Sequence, residues 1–225
     1  MDSMYDILMR LPLFNGVTHE RISEILEVAK FHFLKYLPGQ QIFAAGDQCT
    51  HIRFIINGSI RLTTSNDDGR FKVAQTLVAP NVIAPEFLFG RTTAYPSSAT
   101  AIEPCGILQI SKSDYLKILN SDTIFMFNFL NILSMNAQKS TDGVLALTSG
   151  DLEQRIAFWI VALTQRDSID ITLSCRQRDM YTLFGVQRTS FIATLESMKN
   201  RGIIDYDQNE IKVLSRRELA NIISN

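Results

Sequence analysis

The residues of this chain best suited to recognition chemistry are Gln187, Arg188, Thr189 and Ser190, preceded by Arg176, Gln177 and Arg178. Arginine presents a planar fork of donors that matches guanine in two-point contact, and glutamine can pair with adenine or donate to phosphate. Such side chains read a nucleic acid only if rigid elements hold them outward. Two short apolar-periodic segments do this. Met180, Leu183 and Phe184 fall at i, i+3 and i+4, and Phe191, Ile192, Leu195 and Met198 repeat the pattern on a second helix. Gly185 joins the two, and its freedom to take positive φ lets helices meet at a sharp angle. The spacing predicts a helix-turn-helix. In that motif the first residues of the second helix meet base edges, and backbone phosphates lie at the start of the first. A plain helical hairpin with solvated charges shares this spacing, so the following segment decides between them.

That segment is Ile203-Ile204-Asp205-Tyr206, the polar turn Asp207-Gln208-Asn209, and Glu210-Ile211-Lys212-Val213-Leu214. Two β-rich runs around a polar turn read as a hairpin, and a hairpin after a helix-turn-helix is a wing. The pattern Gly185-Val186-x-Arg188-x-Ser190, then Leu195-x-x-Met198 and Gly202-Ile203-Ile204, resembles the winged-helix domain of the Crp/Fnr transcription regulators.

Composition bounds the alternatives. With 225 residues, 46% apolar and 20% charged, the chain has the balance of a soluble globular protein of one or two domains. The net charge of −1 carries no global basic signal, and residues 170–225 hold eight Lys/Arg against seven Asp/Glu. Any affinity for phosphate must come from a local patch. Cys49, Cys105 and Cys175 are far apart and form no CxxC pair, which predicts neither a zinc site nor a disulfide framework and fits a reducing cytoplasm. No signal-peptide pattern or apolar run of membrane-spanning length is read.

Upstream, residues 4–30 read as helical, broken at Pro12 and Asn15-Gly16, with Thr18 as an N-cap. From Phe31 to about Ile110 the character changes to short strands: Gln41–Ala44, Ile52–Ile56, Ile60–Thr64, Phe71–Leu77 and Ala99–Ile102. Asn57-Gly58 and Asp68-Gly69 are hairpin signals. This spacing predicts an antiparallel sandwich or barrel. The runs Pro38-Gly39-Gln40-x-Ile42-Phe43-x-x-Gly46-Asp47 and Phe54-Ile55-Ile56-Asn57-Gly58-Ser59-Ile60-Arg61-Leu62, then Asp68-Gly69-Arg70, resemble the cyclic-nucleotide-binding β-roll. Together the two resemblances cover nearly the whole chain in the Crp/Fnr order.

The resemblance implies an effector pocket, with Glu86, Ser97, Ser98, Ser140 and Thr141 as its candidate residues. In cyclic-AMP-binding members a Gly-Glu-Leu turn and an Arg-Ser-Ala segment hold the ribose and phosphate. Here Ala84-Pro85-Glu86-Phe87 keeps the glutamate, but Pro85 removes a backbone donor. Ser97-Ser98-Ala99 puts a serine where the arginine is expected, removing a charge-assisted partner for the phosphate. Arg91 lies nearby at the wrong spacing. Cyclic AMP is therefore not the expected effector. The effector is unidentified, and no cofactor is implied. No cysteine precedes Cys49, against an iron–sulfur cluster, and His19, His32 and His51 read as surface or structural residues rather than haem ligands.

Asp114 to about Leu147 reads as one helix with apolar residues on too many sides for a single stripe, which suits one side packed on the roll and another on a partner. The resemblance makes it the dimer helix. Ser149 and Gly150 follow as a hinge, and Asp151 or Ser149 can cap the next helix, whose apolar face is Leu152, Ile156, Trp159, Ile160 and Leu163. The expected architecture is α+β, with an N-terminal antiparallel β-roll, a long dimerisation helix and a C-terminal winged helix. The expected domains are a β-roll sensor with N-terminal helices over 1–113, the dimerisation helix over 114–148, and the winged helix-turn-helix over 149–225. The expected protein is a cytoplasmic homodimer that binds double-stranded DNA at an inverted repeat and engages RNA polymerase, with no membrane association. The alternative is a cyclic-nucleotide-binding regulatory module acting on a protein partner. No nucleophile elbow, phosphate-cradling glycine loop or metal-ligand spacing is read, so an enzyme is not expected.

Overall fold

The computed structural model describes residues 4–146, 148 and 150–224. Their contacts divide into two units: 4–61 with 78–136, and 62–77 with 137–224. Ser149 of the expected hinge lies outside the described residues.

The first unit opens with helix α1 (Met4–Met9), a 3-10 turn at Pro12–Phe14 and helix α2 (His19–Val28). Thr18 caps α2 as expected, its Oγ1 accepting from Arg21 N at 3.3 Å. A sheet follows in the order β1 (Phe31–Tyr36), β8 (Cys105–Ser111), β3 (His51–Asn57) and β6 (Asn81–Ile83), all neighbours antiparallel. Opposite it, β7 (Ser97–Ala101) pairs with β2 (Gln41–Phe43) and neighbours β4 (Ser59–Ser65). Ile52 and Phe54 turn one face of β3 to the helical layer, where Phe14 meets Phe54 at 6.2 Å and Phe125 at 5.6 Å. All are 2% exposed or less, and each buried side chain of this size contributes about 1.5–3 kcal/mol.

Asn57-Gly58 departs from the expected hairpin. Strands β3 and β4 flank Gly58 directly yet lie in different sheets, so this glycine is a corner between layers. It has φ +74°, and a Cβ there would stand 2.5 Å from the carbonyl oxygen of Pro104. Asp68-Gly69 does form a hairpin: β4 and β5 (Lys72–Val78) are neighbours, and Asn66 N donates to Phe71 O at 3.1 Å.

The helix expected from Asp114 is two helices, α3 (Lys112–Ser121) and α4 (Thr123–Ala146). Asp122 breaks the run with an extended backbone, and its carboxylate accepts from Ile124 N at 2.9 Å, capping the second helix. On α4, Phe125 and Phe129 are buried, while Met126, Phe127, Leu130 and Met135 are exposed.

In the second unit, α5 (Leu152–Leu163) begins with a capping box. Asp151 accepts from Gln154 N at 2.8 Å while Gln154 Oε1 accepts from Asp151 N. The sheet runs β10 (Ile204–Tyr206), β11 (Glu210–Val213), β9 (Ile169–Ser174), β5, so one strand of the long hairpin pairs antiparallel with β9. Helices α6 (Gln177–Leu183), α7 (Arg188–Asn200) and α8 (Arg216–Ser224) complete the unit. Its core joins Val73, Ile156, Trp159, Leu173, Phe184, Phe191, Leu195 and Met198. The described residues contain no helix long and apolar enough to cross a membrane.

Candidate nucleic-acid interface and effector site

The angle between α6 and α7 is set by a Schellman turn. Val186 N donates to Tyr181 O at 3.0 Å and Gly185 N to Thr182 O at 3.1 Å, with Gly185 at φ +64°. The same device ends α7, where Gly202 at φ +70° donates to Lys199 O and Ile203 N to Met198 O. Phe191, Leu195 and Met198 are 0% exposed, so the inner face of α7 is fixed and its outer face follows. Of the apolar face expected for α6, Met180 and Phe184 are buried, but Leu183 is 48% exposed. A helix this short has too narrow a core contact to cover the third residue.

Gln187, Arg188, Thr189 and Ser190 are all exposed at the start of α7. Gln187 is the N-cap residue but makes no side-chain cap, so no side chain satisfies the first-turn N–H groups of α7. Those donors and the positive end of the helix dipole suit phosphate oxygens. The three residues at the start of α6 separate in role. Arg178 is exposed, with no ion pair among the described residues. Arg176 Nε lies 3.0 Å from Asp179 Oδ2. Gln177 braces the wing, its N donating to Gln208 O at 3.2 Å and its Nε2 to Asp207 O at 2.9 Å. The wing is also tied to the back of α7. Lys199 Nζ meets Asp205 Oδ1 at 2.7 Å, and Tyr206 Oη donates to Glu196 Oε2 at 2.8 Å. The hydrogen bond from Lys199 holds the Asp205 carboxyl below its usual range, and Asp205 raises Lys199 in turn.

In the first unit, Glu86 sits in a 3-10 turn at Pro85–Phe87, entered through Ala84 in the left-handed region at φ 45°. A non-glycine residue there costs about 1–2 kcal/mol. Glu86 is exposed and accepts from Asn136 Nδ2 of α4 at 3.2 Å. Ser97 is 2% exposed inside β7, and Ser98 is half-buried. Ser140 and Thr141 are exposed on the part of α4 that belongs to the second unit, and Thr141 Oγ1 donates to its own helix at Ala137 O.

The cation in the roll is one that sequence reasoning missed. Arg53 alternates with Ile52 and Phe54 on β3 and so points to the face opposite the aromatic cluster. There its Nη1 donates to Tyr95 Oη at 2.6 Å. Tyr95 stacks on Phe43 with centroids 3.9 Å apart, and the guanidinium carbon lies 5.6 Å from each centroid. Equal distances from two stacked rings put the cation beside the stack rather than over a face, so the hydrogen bond is its main tie. Arg53 Nε is buried and has no hydrogen-bond partner. An enclosed donor left unmade costs about 1–3 kcal/mol. Burial and a hydrogen bond with the Cys49 thiol push the Tyr95 phenol far up, so its Oη stays protonated. The one cue in the sequence was an arginine within an otherwise apolar strand. Among the described residues no group of His, Cys, Asp and Glu could hold a metal ion.

A β-roll carrying a long helix, joined in sequence to a winged helix-turn-helix, defines a class of DNA-binding protein. The family comparisons agree. Residues 33–122 match the cyclic nucleotide-binding domain, and residues 154–222 match the Crp-like helix-turn-helix domain. With both in this order, the chain belongs to the Crp/Fnr family of transcription regulators. It is 21% identical over 211 residues to the cyclic AMP receptor protein of Thermus thermophilus, covering 94% of this chain and 96% of that one. It is 21% identical over 200 residues to the cAMP-activated global transcriptional regulator Vfr of Pseudomonas aeruginosa, covering 84% and 92%. The crystal structure of Thermus thermophilus catabolite activator protein shares the fold, with a TM-score of 0.55 at 20% identity over 95% of this chain and 98% of that one.

Proposed function

We propose that the protein is a homodimeric, sequence-specific transcription regulator of an inverted-repeat operator, gated by a small effector other than cyclic AMP. The observation that carries the reading is the start of α7, where Gln187, Arg188, Thr189 and Ser190 stand outward while Phe191, Leu195 and Met198 anchor the opposite face. Arg188 reads a base, with Gln187 and Thr189 beside it. Ser190, Arg176 and Arg178 meet phosphate. Gln177 acts through the wing it braces and keeps a second amide hydrogen for phosphate. The exposed Met126, Phe127, Leu130 and Met135 of α4 supply an apolar seam for a second copy. A two-fold dimer sets its half-sites about one helical turn, roughly 34–36 Å, apart. Pro85 in the Glu86 turn and the neutral, buried Ser97 support an effector other than cyclic AMP. Such a regulator works in the cytoplasm beside RNA polymerase.

The test is selection of bound sequences from a random duplex pool with the purified full chain, followed by fluorescence anisotropy on the selected site. An enriched inverted repeat whose affinity drops when one half-site is scrambled is the expected result. Binding that is equal on all sequences and vanishes in moderate salt would overturn it, and would favour the module acting on a protein partner.

A further inference from the structure

We propose that Arg53 holds the anionic group, carboxylate or phosphoryl, of this protein's effector, from β3 rather than from β7. This rests on reading the β-roll as an effector-sensing domain. Three observations carry it. The guanidinium lies in the roll with a phenol as its hydrogen-bond partner and, among the described residues, no ion pair to a carboxylate. Its Nε donor is enclosed and unbonded. Arg53 as a whole is only half-buried. Burial raises the Cys49 thiol; Arg53 and Lys112 draw it down and the Glu86 carboxylate pushes it further up. Two oxygens of a carboxylate or phosphoryl group match the remaining N–H groups of the fork, including Nε, and balance its charge. The stacked pair Tyr95 and Phe43 walls one side of the guanidinium, and Tyr95 Oη steers its plane. Arg91, the other arginine near the turn, is exposed.

The test is thermal unfolding of the full chain in sodium chloride buffer, with sodium phosphate, sodium acetate or cyclic AMP added at matched ionic strength. We expect phosphate or acetate to raise the Tm, and which of the two does so separates a phosphoryl from a carboxylate ligand. In Arg53→Met the ligand-free Tm is expected to stay level or rise, because an enclosed donor without a partner is gone, while the anion-dependent shift disappears. Arg53→Lys keeps the charge but not the fork, and needs roughly tenfold more anion for the same shift. Tyr95→Phe keeps the ring stack and shows a smaller shift than the parent; these two variants carry the test if Arg53→Met does not fold. No shift with any of the three additives overturns the proposal. So does a shift that survives Arg53→Met, or a ligand-free Tm that falls in Arg53→Met with the shift intact, which marks Arg53 as structural. Anisotropy on the selected operator, run on the same samples, separates the two readings. Specific DNA binding without an anion shift sinks this proposal alone, and an Arg53-dependent anion shift without specific DNA binding sinks the proposed function alone.

Discussion

Arg155 Nη2 donates to the carbonyl oxygen of Phe184 at 2.6 Å, and its guanidinium carbon lies 5.6 Å from the Phe184 ring. Phe184 is the last residue before the turn that aims α7, so helix α5 holds the reading head by its hinge. Arg155→Met keeps much of the stem packing and removes the donor. It is expected to destabilise the second unit by about 1–3 kcal/mol and to weaken operator binding more than that stability loss explains. Denaturant unfolding and anisotropy on the same samples check this; equal operator affinity in folded variant and parent would show that the turn holds without Arg155.

Arg188→Ala is expected to cost about 1–3 kcal/mol of operator affinity and to relax specificity at one base pair of each half-site. Binding to single-base variants of the operator measures it. A uniform loss over all variants, with only the salt dependence changed, would demote Arg188 to a phosphate contact.

Phe127 is 64% exposed and Leu130 49% exposed on α4 among the described residues. Phe127→Glu with Leu130→Glu is expected to yield a folded monomer, because paired carboxylates in an apolar seam are repelled and desolvated. Light scattering after size exclusion gives the mass. A double variant that remains dimeric would move the two-fold interface elsewhere.

The cysteines provide a pH test. Burial pushes the Cys105 thiol from 9.0 up to about 11, with Glu103 adding to the shift. A thiol whose folded pKa is raised contributes stability that is complete below pH 9 and is lost as pH rises through 11, because the unfolded chain ionises first. Cys105→Ala is expected to flatten part of that decline in denaturant midpoints. In the native state the half-buried Cys175 is expected to react first with a thiol reagent, and the buried Cys49 and Cys105 only on unfolding.

Much of the reading unit is local, and local rules reach it. The 3.6-residue pattern of Phe191, Leu195 and Met198, the glycines at 185 and 202, and the polar turn at Asp207 each act within a few residues, so helix, turn and wing were legible. What was not legible depends on partners far away in the chain. Strand β8 is a nearly continuous apolar run that carries no period of its own, and it becomes a strand because β1 and β3 flank it. Gly58 has the signature of a hairpin but serves as a corner, since β3 pairs with β6 and β8, both distant in the chain, and not with β4. Gln177 looks like a phosphate donor in the sequence, yet the wing thirty residues later claims its amide.

Arg53 makes the same point for the β-roll. Periodicity and turn chemistry act between near neighbours, so the sequence alone carried the helix-turn-helix, its wing and an antiparallel sheet, and its motif order carried the resemblance to a β-roll joined to a winged helix. Only the tertiary structure decided which cation enters the roll. The side a strand residue faces depends on the sheet it joins, and Tyr95, the partner that orients Arg53, lies 42 positions away.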